Sequence, residues 1–143
     1  MTNKETKKNN KGFSLVELII VIAIMAVLIA ILAPAFIRYV EQSRQKADLS
    51  AVDDVIKAVK TSAASSEITI PSGTTGAKVE ITTSGTNPDA ALQKALENSD
   101  VDDAKLKSSE WGTVTIQFTT SGGAVDAKVT SNGTTKMENE YHK

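Results

Sequence analysis

Gly12-Phe13-Ser14-Leu15-Val16-Glu17-Leu18-Ile19-Ile20-Val21-Ile22-Ala23-Ile24 is the stretch around which this 143-residue chain is organised, and the apolar run that it begins continues without a charged side chain from Leu18 to Ile37. As an α-helix, about twenty such residues rise about 30 Å, the thickness of a bilayer core. The run therefore reads as a membrane span. Before it stand Lys4, Lys7, Lys8 and Lys11 against one acid, Glu5, a bias that keeps the N-terminus in the cytoplasm and sends the remainder outward. Glu17 is the exception that asks for a reason, because a carboxylate entering an apolar phase is costly unless it finds a partner.

Two local readings of Glu17 and Pro34 need no further context. Ser14 and Glu17 have the spacing of a capping box, in which the acid reaches back to the Ser14 amide. Pro34, inside the apolar run, cannot donate to the carbonyl of Ala30, so a kink or local opening is expected between Ala30 and Pro34. Membrane helices tolerate such a passive kink.

Basic leader, glycine, aromatic, glutamate, unbroken apolar run and a proline 22 residues after the glycine, all in register over about residues 4 to 50, closely resemble the N-terminus of a type IV pilin or type II secretion pseudopilin precursor. The resemblance implies that a prepilin peptidase cuts between Gly12 and Phe13, that the new Phe13 amine is N-methylated, and that the mature chain has 131 residues. It also implies assembly into a helical homopolymer in which Glu17 neutralises the Phe13 amine of a neighbour. Pro34 matches the family proline and implies a segment that can unwind on packing, with Ala23, Ala26, Ala30 and Ala33 where the family often has glycine. The expected partners are other copies of the chain, the peptidase and methyltransferase, and an assembly platform with its ATPase. The glycine has a physical logic beside the family one: without a side chain it lets the chain lie extended in a protease cleft.

The chain divides on paper into a cleaved leader, residues 1–12, a transmembrane or filament-core helix, 13–37, and a head, 38–143. Within the head an amphipathic helix is expected over 38–64. Leu49, Val52, Val55, Ile56, Val59 and Ala63 fall on one stripe, while Glu41, Arg44, Asp48, Asp53 and Lys57 lie mostly elsewhere. Ser62 to Ser66 should end it. From 67 to 137 the pattern turns β-rich, with a first strand at Glu67 to Ile70 closed by Pro71-Ser72-Gly73 and a second within Ala77 to Thr83. Asn87-Pro88-Asp89 reads as cap, first helical position and first-turn acid of a short helix burying Ala91, Leu92, Ala95 and Leu96. Val114, Ile116 and Phe118, then Ser121-Gly122-Gly123, then Val125, Ala127 and Val129 make a hairpin. Asn132-Gly133 signals another tight turn, with Thr134 to Met137 returning as a last strand and 138–143 frayed. The fold expected is α+β and type IV pilin-like: a long N-terminal helix, its apolar half protruding and its amphipathic half packed on an antiparallel sheet of three to five strands.

Other chemistry is thin. The leader is net +3 and the rest −4, so bulk charge argues against nucleic-acid binding, and Lys105 and Lys107 are too few to line a groove. Asp100, Asp102 and Asp103, with Asn98, offer oxygen ligands of the kind calcium takes but lack a loop signature, so a solvated turn is expected and no metal or cofactor is assigned. His142 stands alone near the end of the chain, and Trp111 is expected to pack at the sheet edge rather than to bind a ligand. No nucleophile with a base, phosphate loop or catalytic carboxylate pair stands out, so the protein reads as a structural subunit and not an enzyme. Thr and Ser on outward strand positions suit an exposed face and are open to glycosylation, while Asn132-Gly133-Thr134 is read as a turn rather than an acceptor. Without cysteine the chain lacks the C-terminal disulfide of many Gram-negative pilins, which favours a Gram-positive producer or a pseudopilin.

The reading is thus a prepilin, held in the cytoplasmic membrane and then polymerised into a surface filament, with a type IVa-like major pilin as its best fit. A pseudopilin of a type II secretion or DNA-uptake system shares every N-terminal residue discussed, and a surface binding protein that stays anchored and never polymerises is the alternative from another class. Cleavage after Ala33-Pro34-Ala35 as an ordinary secretory signal is disfavoured by an apolar stretch longer than the usual 7–15 residues and by the proline itself.

Overall fold

In the computed structural model, residues 12–72 and 76–137 are described. The elements are α1 (Leu15–Ala64), β1 (Ala77–Ile81), β2 (Thr86–Pro88), α2 (Ala90–Asn98), β3 (Val114–Ser121) and β4 (Ala124–Ser131). The leader lysines Lys4, Lys7, Lys8 and Lys11, Gly73 of the expected turn, and the tail 138–143 with His142 lie outside the described residues. The chain forms two compact units, one ending at Tyr39 and one starting at Val40.

In the first unit α1 is apolar on every side, and its large side chains, from Leu15 to Ile37, all lie open. It has a window long and apolar enough to cross a membrane. The helix runs on without interruption through Pro34, so of the kink or local opening expected between Ala30 and Pro34 the opening is not seen. One missing hydrogen bond is a cost that the turns on either side sustain.

The second unit is a four-stranded antiparallel sheet in the order β2-β1-β3-β4. The inward residues of its strands, Ala77, Val79 and Ile81, then Val114, Ile116 and Phe118, then Val129, form one buried cluster with Val52, Val55, Ile56 and Val59 of α1 and Leu92, Ala95 and Leu96 of α2. The two periods meet here: every second residue of a strand faces the helix, and every third or fourth residue of the helix faces the sheet. Gly122 and Gly123, at φ 58° and 86°, make the two-residue turn of the β3–β4 hairpin, a conformation that side chains resist. Trp111 is fully buried.

Three expectations of local structure are corrected. Glu67 to Ile70 is not a strand. The carbonyl of Ser62 accepts from both Glu67 and Ile68, and Ser66 takes φ 60°, so the chain wraps over the helix end and drops Ile68 and Ile70 into the core as plugs. The ladder position beside β3 is already taken by β1, paired from Ala77↔Phe118 to Ile81↔Val114, which leaves only a single bridge from Ser72 to Thr120.

The short helix begins at Ala90, not at Pro88. Pro88 instead pairs with Val79 in β2, an edge strand where a missing N–H costs little. Asp89 is the cap residue by position, but its carboxylate accepts from the Lys78 amide at 2.8 Å rather than from the helix.

Thr134 to Met137 does not return as a strand either. Gly133 donates to the Trp111 carbonyl at 2.8 Å, Thr135 donates to the Glu110 carbonyl at 3.2 Å, and Asn132 Oδ1 accepts from the Thr113 amide at 2.7 Å. Loop is thus knitted to loop. Gly133 is needed for close approach rather than for a turn: a Cβ there would lie 1.9 Å from the Glu110 carbonyl oxygen.

Candidate functional site

The N-terminal residues of interest sit at the start of α1. Ser14 holds the cap position, its carbonyl accepting from Leu18 at 3.2 Å, and its own amide donates to Glu17 Oε2 at 2.8 Å. Half of a capping box is therefore formed, and the Glu17 carboxylate lies in the first turn, where the helix dipole favours negative charge. That is how a lone chain accommodates this acid: it carries its own donor. Phe13 is 92 % exposed, and a Cβ added to Gly12 would meet nothing within 4 Å, so among the described residues nothing packs over the peptide between them. Gly12, Phe13 and Glu17 thus lie within six consecutive residues at the start of α1. Pro34 does not join them, lying 17 residues beyond Glu17 and about 25 Å further along the helix.

The head holds a second polar constellation that sequence reasoning missed. Asp48, expected on the outward side of α1, is only 1 % exposed. Its two carboxylate oxygens accept from the backbone amides of Lys107 at 2.7 Å and Ser108 at 2.8 Å. The stripe that carries Val52, Val55 and Val59 extends back through Asp48 and Glu41, and there it meets a loop with unpaired backbone donors instead of a strand with side chains. Glu41 accepts from the hydroxyl of fully buried Ser108, and Ser108 Oγ accepts in turn from the Glu110 amide at 3.2 Å. Glu110 Oε2 then receives Gln45 Nε2 at 3.2 Å and Thr135 Oγ1 at 2.9 Å. Helix, loop 105–112 and loop 132–135 are thereby tied together by side chains. The only sequence signal was Asp48 itself, in helical phase with the apolar stripe.

Burial raises the Asp48 pKa above the usual carboxylate value, against the opposing pull of the Lys107 and Ser108 amides, the Trp111 indole and the Lys107 charge. The indole Nε1 is buried and falls short of hydrogen-bond geometry with any partner, so its influence on Asp48 is one of proximity. For an acid whose folded pKa is raised, the favourable contribution is complete below the unfolded value and is lost as pH rises through the folded one. The stability of wild type relative to Asp48→Asn should therefore fall as pH climbs through that window and stay level outside it. Fluorescence of the single tryptophan during denaturation at a series of pH values measures this, and a difference that rises with pH would contradict it.

The remaining candidates are dispersed. Asp100 adopts φ 56° at the end of α2, and Asn98 Nδ2 donates to Glu67 Oε2 at 3.3 Å. Among the described residues no group of three or more His, Cys, Asp or Glu side chains is placed to hold a metal ion. Lys105 and Lys107 are exposed, and Lys107 takes part through its backbone.

Comparison with known families adds one finding. Residues 7–33 match the family model described as the prokaryotic N-terminal methylation motif. This is the prepilin signal of type IV pilins and pseudopilins; it contains Gly12, Phe13 and Glu17 and ends one residue before Pro34. No solved structure matches the chain. The long apolar N-terminal helix and four-stranded antiparallel sheet form an α+β arrangement like that of type IV pilins, and motif and fold point to a structural subunit rather than an enzyme.

Proposed function

We propose, from the premise of a prepilin signal over residues 7–33, that the chain is the precursor subunit of a type IV pilus-like surface filament. Cleavage falls between Gly12 and Phe13, the Phe13 amine is methylated, and subunits polymerise through α1. The observation that carries this reading is the coincidence of that signal with a helix whose large apolar side chains are all exposed from Leu15 to Ile37. Burying such side chains from water is worth about 1.5–3 kcal/mol each, so the helix is stored in lipid until it is packed against its neighbours.

Lipid is as apolar as a bundle of such helices, so transfer from bilayer to filament yields little hydrophobic gain. Packing and paired charge must then set the register. Glu17 is the one ionisable side chain between Phe13 and Ile37, and the methylated Phe13 amine of a neighbour supplies its counter-charge. Before assembly the chain spans the cytoplasmic membrane with its leader inside, a reading supported by the lysines of residues 1–12. The peptidase, the methyltransferase and an ATP-driven platform act on it.

Intact mass and N-terminal sequencing of material sheared from cells test this. The expected species is a 131-residue chain beginning at N-methylated Phe13. A chain beginning at Phe36, or one that keeps residues 1–12 and occurs only in membranes, would replace this reading with a secreted or anchored monomer.

A further inference from the structure

The sheet ends in β4, an eight-residue edge strand that pairs only with β3 among the described residues. The two-residue turn makes Ser121 and Ala124 a hydrogen-bonded pair, and alternation then directs the N–H and C=O groups of Ala124, Asp126, Lys128 and Thr130 toward β3. The Asn132 amide, which donates to the Thr113 carbonyl at 3.2 Å, continues the same phase. The backbone groups of Val125, Ala127 and Val129 therefore face away from the sheet. Ala127 is half-buried while its partner on β3, Phe118, is fully buried, as suits a position on an open edge.

We propose that this edge pairs antiparallel with β4 of a second copy, in the register centred on Ala127. The segment Ala124-Val125-Asp126-Ala127-Lys128-Val129-Thr130 is self-complementary about that residue. Ala127 meets its own counterpart, and Val125 meets Val129 of the second copy, in pairs whose free N–H and C=O groups face each other. Asp126 meets Lys128 of the second copy in the intervening pair, where side chains come closest. Both side chains are exposed on the face away from the core.

Neighbouring registers are refused by the same two charges. Centring on Asp126 sets aspartate opposite aspartate, and centring on Lys128 sets lysine opposite lysine, each a destabilising cross-strand pair. An exposed edge is ordinarily guarded by charge; here the guard admits one partner in one alignment. The contact is two-fold and closes on itself, so it differs from the repeating contact that builds a filament and does not depend on polymerisation. It joins heads in pairs, in the membrane pool or between adjacent filaments.

Engineered cysteines report the register cleanly because the chain has none of its own. Full-length Asp126→Cys and Lys128→Cys proteins in detergent micelles are oxidised separately and as an equal mixture. The proposal expects disulfide dimers in the mixture at about ten times the yield of either protein alone, and no larger species. Ala124→Cys mixed with Thr130→Cys should cross-link likewise, lose the dimer when both proteins also carry Lys128→Asp, and regain it when both carry Asp126→Lys with Lys128→Asp. Equal yields with and without mixing, a ladder of higher oligomers, or no dimer would each overturn it. Filament recovery from the same variants separates failure of this contact from failure of assembly.

Discussion

Glu17→Gln should leave no filaments to shear from the cell surface, while the chain remains cleaved, membrane-bound and as helical as wild type. The amide oxygen of glutamine can still accept from Ser14, replacing the 2.8 Å hydrogen bond seen with Glu17. In the proposed filament it cannot balance the charge of a neighbour's Phe13 amine. Removing one member of a buried pair leaves the other uncompensated, at about 3–5 kcal/mol, which weakens each subunit contact by roughly two to three and a half orders of magnitude. Glu17→Ala should lose the filaments and also fray the first turn of the helix. Electron microscopy and immunoblots of sheared and membrane fractions, with circular dichroism of the purified proteins, separate the two variants. Abundant filaments from Glu17→Gln would show that the capping hydrogen bond was the residue's whole role.

The second large effect is expected in the head. Asp48→Ala deprives the part-buried amide of Lys107 and the buried amide of Ser108 of their acceptors at 2.7 and 2.8 Å, and an orphaned buried donor costs about 1–3 kcal/mol. Relief of the carboxylate's own desolvation returns part of that. A net loss of about 2–4 kcal/mol is expected, against a total of only about 5–15 kcal/mol for a typical domain. Trp111 stands beside this cluster, so its emission reports the change directly. Asp54→Ala, on an exposed carboxylate whose Lys57 contact is a surface ion pair at 3.6 Å, should shift the midpoint little. A midpoint for Asp48→Ala within error of Asp54→Ala would show that water replaces the lost acceptors.

How much of this was readable in advance follows the physics of each signal. The signal over residues 7–33 is legible because glycine, aromatic, glutamate and apolar run keep a fixed spacing on a single stretch. Val114, Ile116 and Phe118 are legible because a half-buried strand must alternate, and the Gly122–Gly123 turn because few residues accept positive φ. Asp48 was misread because charge on a helix normally marks the solvent side, and nothing in the letters at 107 and 108 announces two backbone donors in need of an acceptor. Ile68 and Ile70 alternate as a strand would, yet alternation reports only that both are buried, not that a neighbour's ladder is vacant. Gly133 follows an asparagine, as a turn glycine does, but its reason is a carbonyl brought in from Glu110, across the whole hairpin. The misses at Asp48 and Gly133 share one cause: each depends on backbone groups from a distant segment.

That meeting of loops 110–113 and 132–135 has a further consequence. It closes the end of the hairpin by peptide hydrogen bonds and by a glycine that admits the opposing backbone, with no sulfur involved. Closure of this kind needs no oxidant and no isomerase, and reductants find nothing in it to cut. What holds this end of the hairpin is thus backbone geometry, so its strength is set by how well water is kept from those few amides.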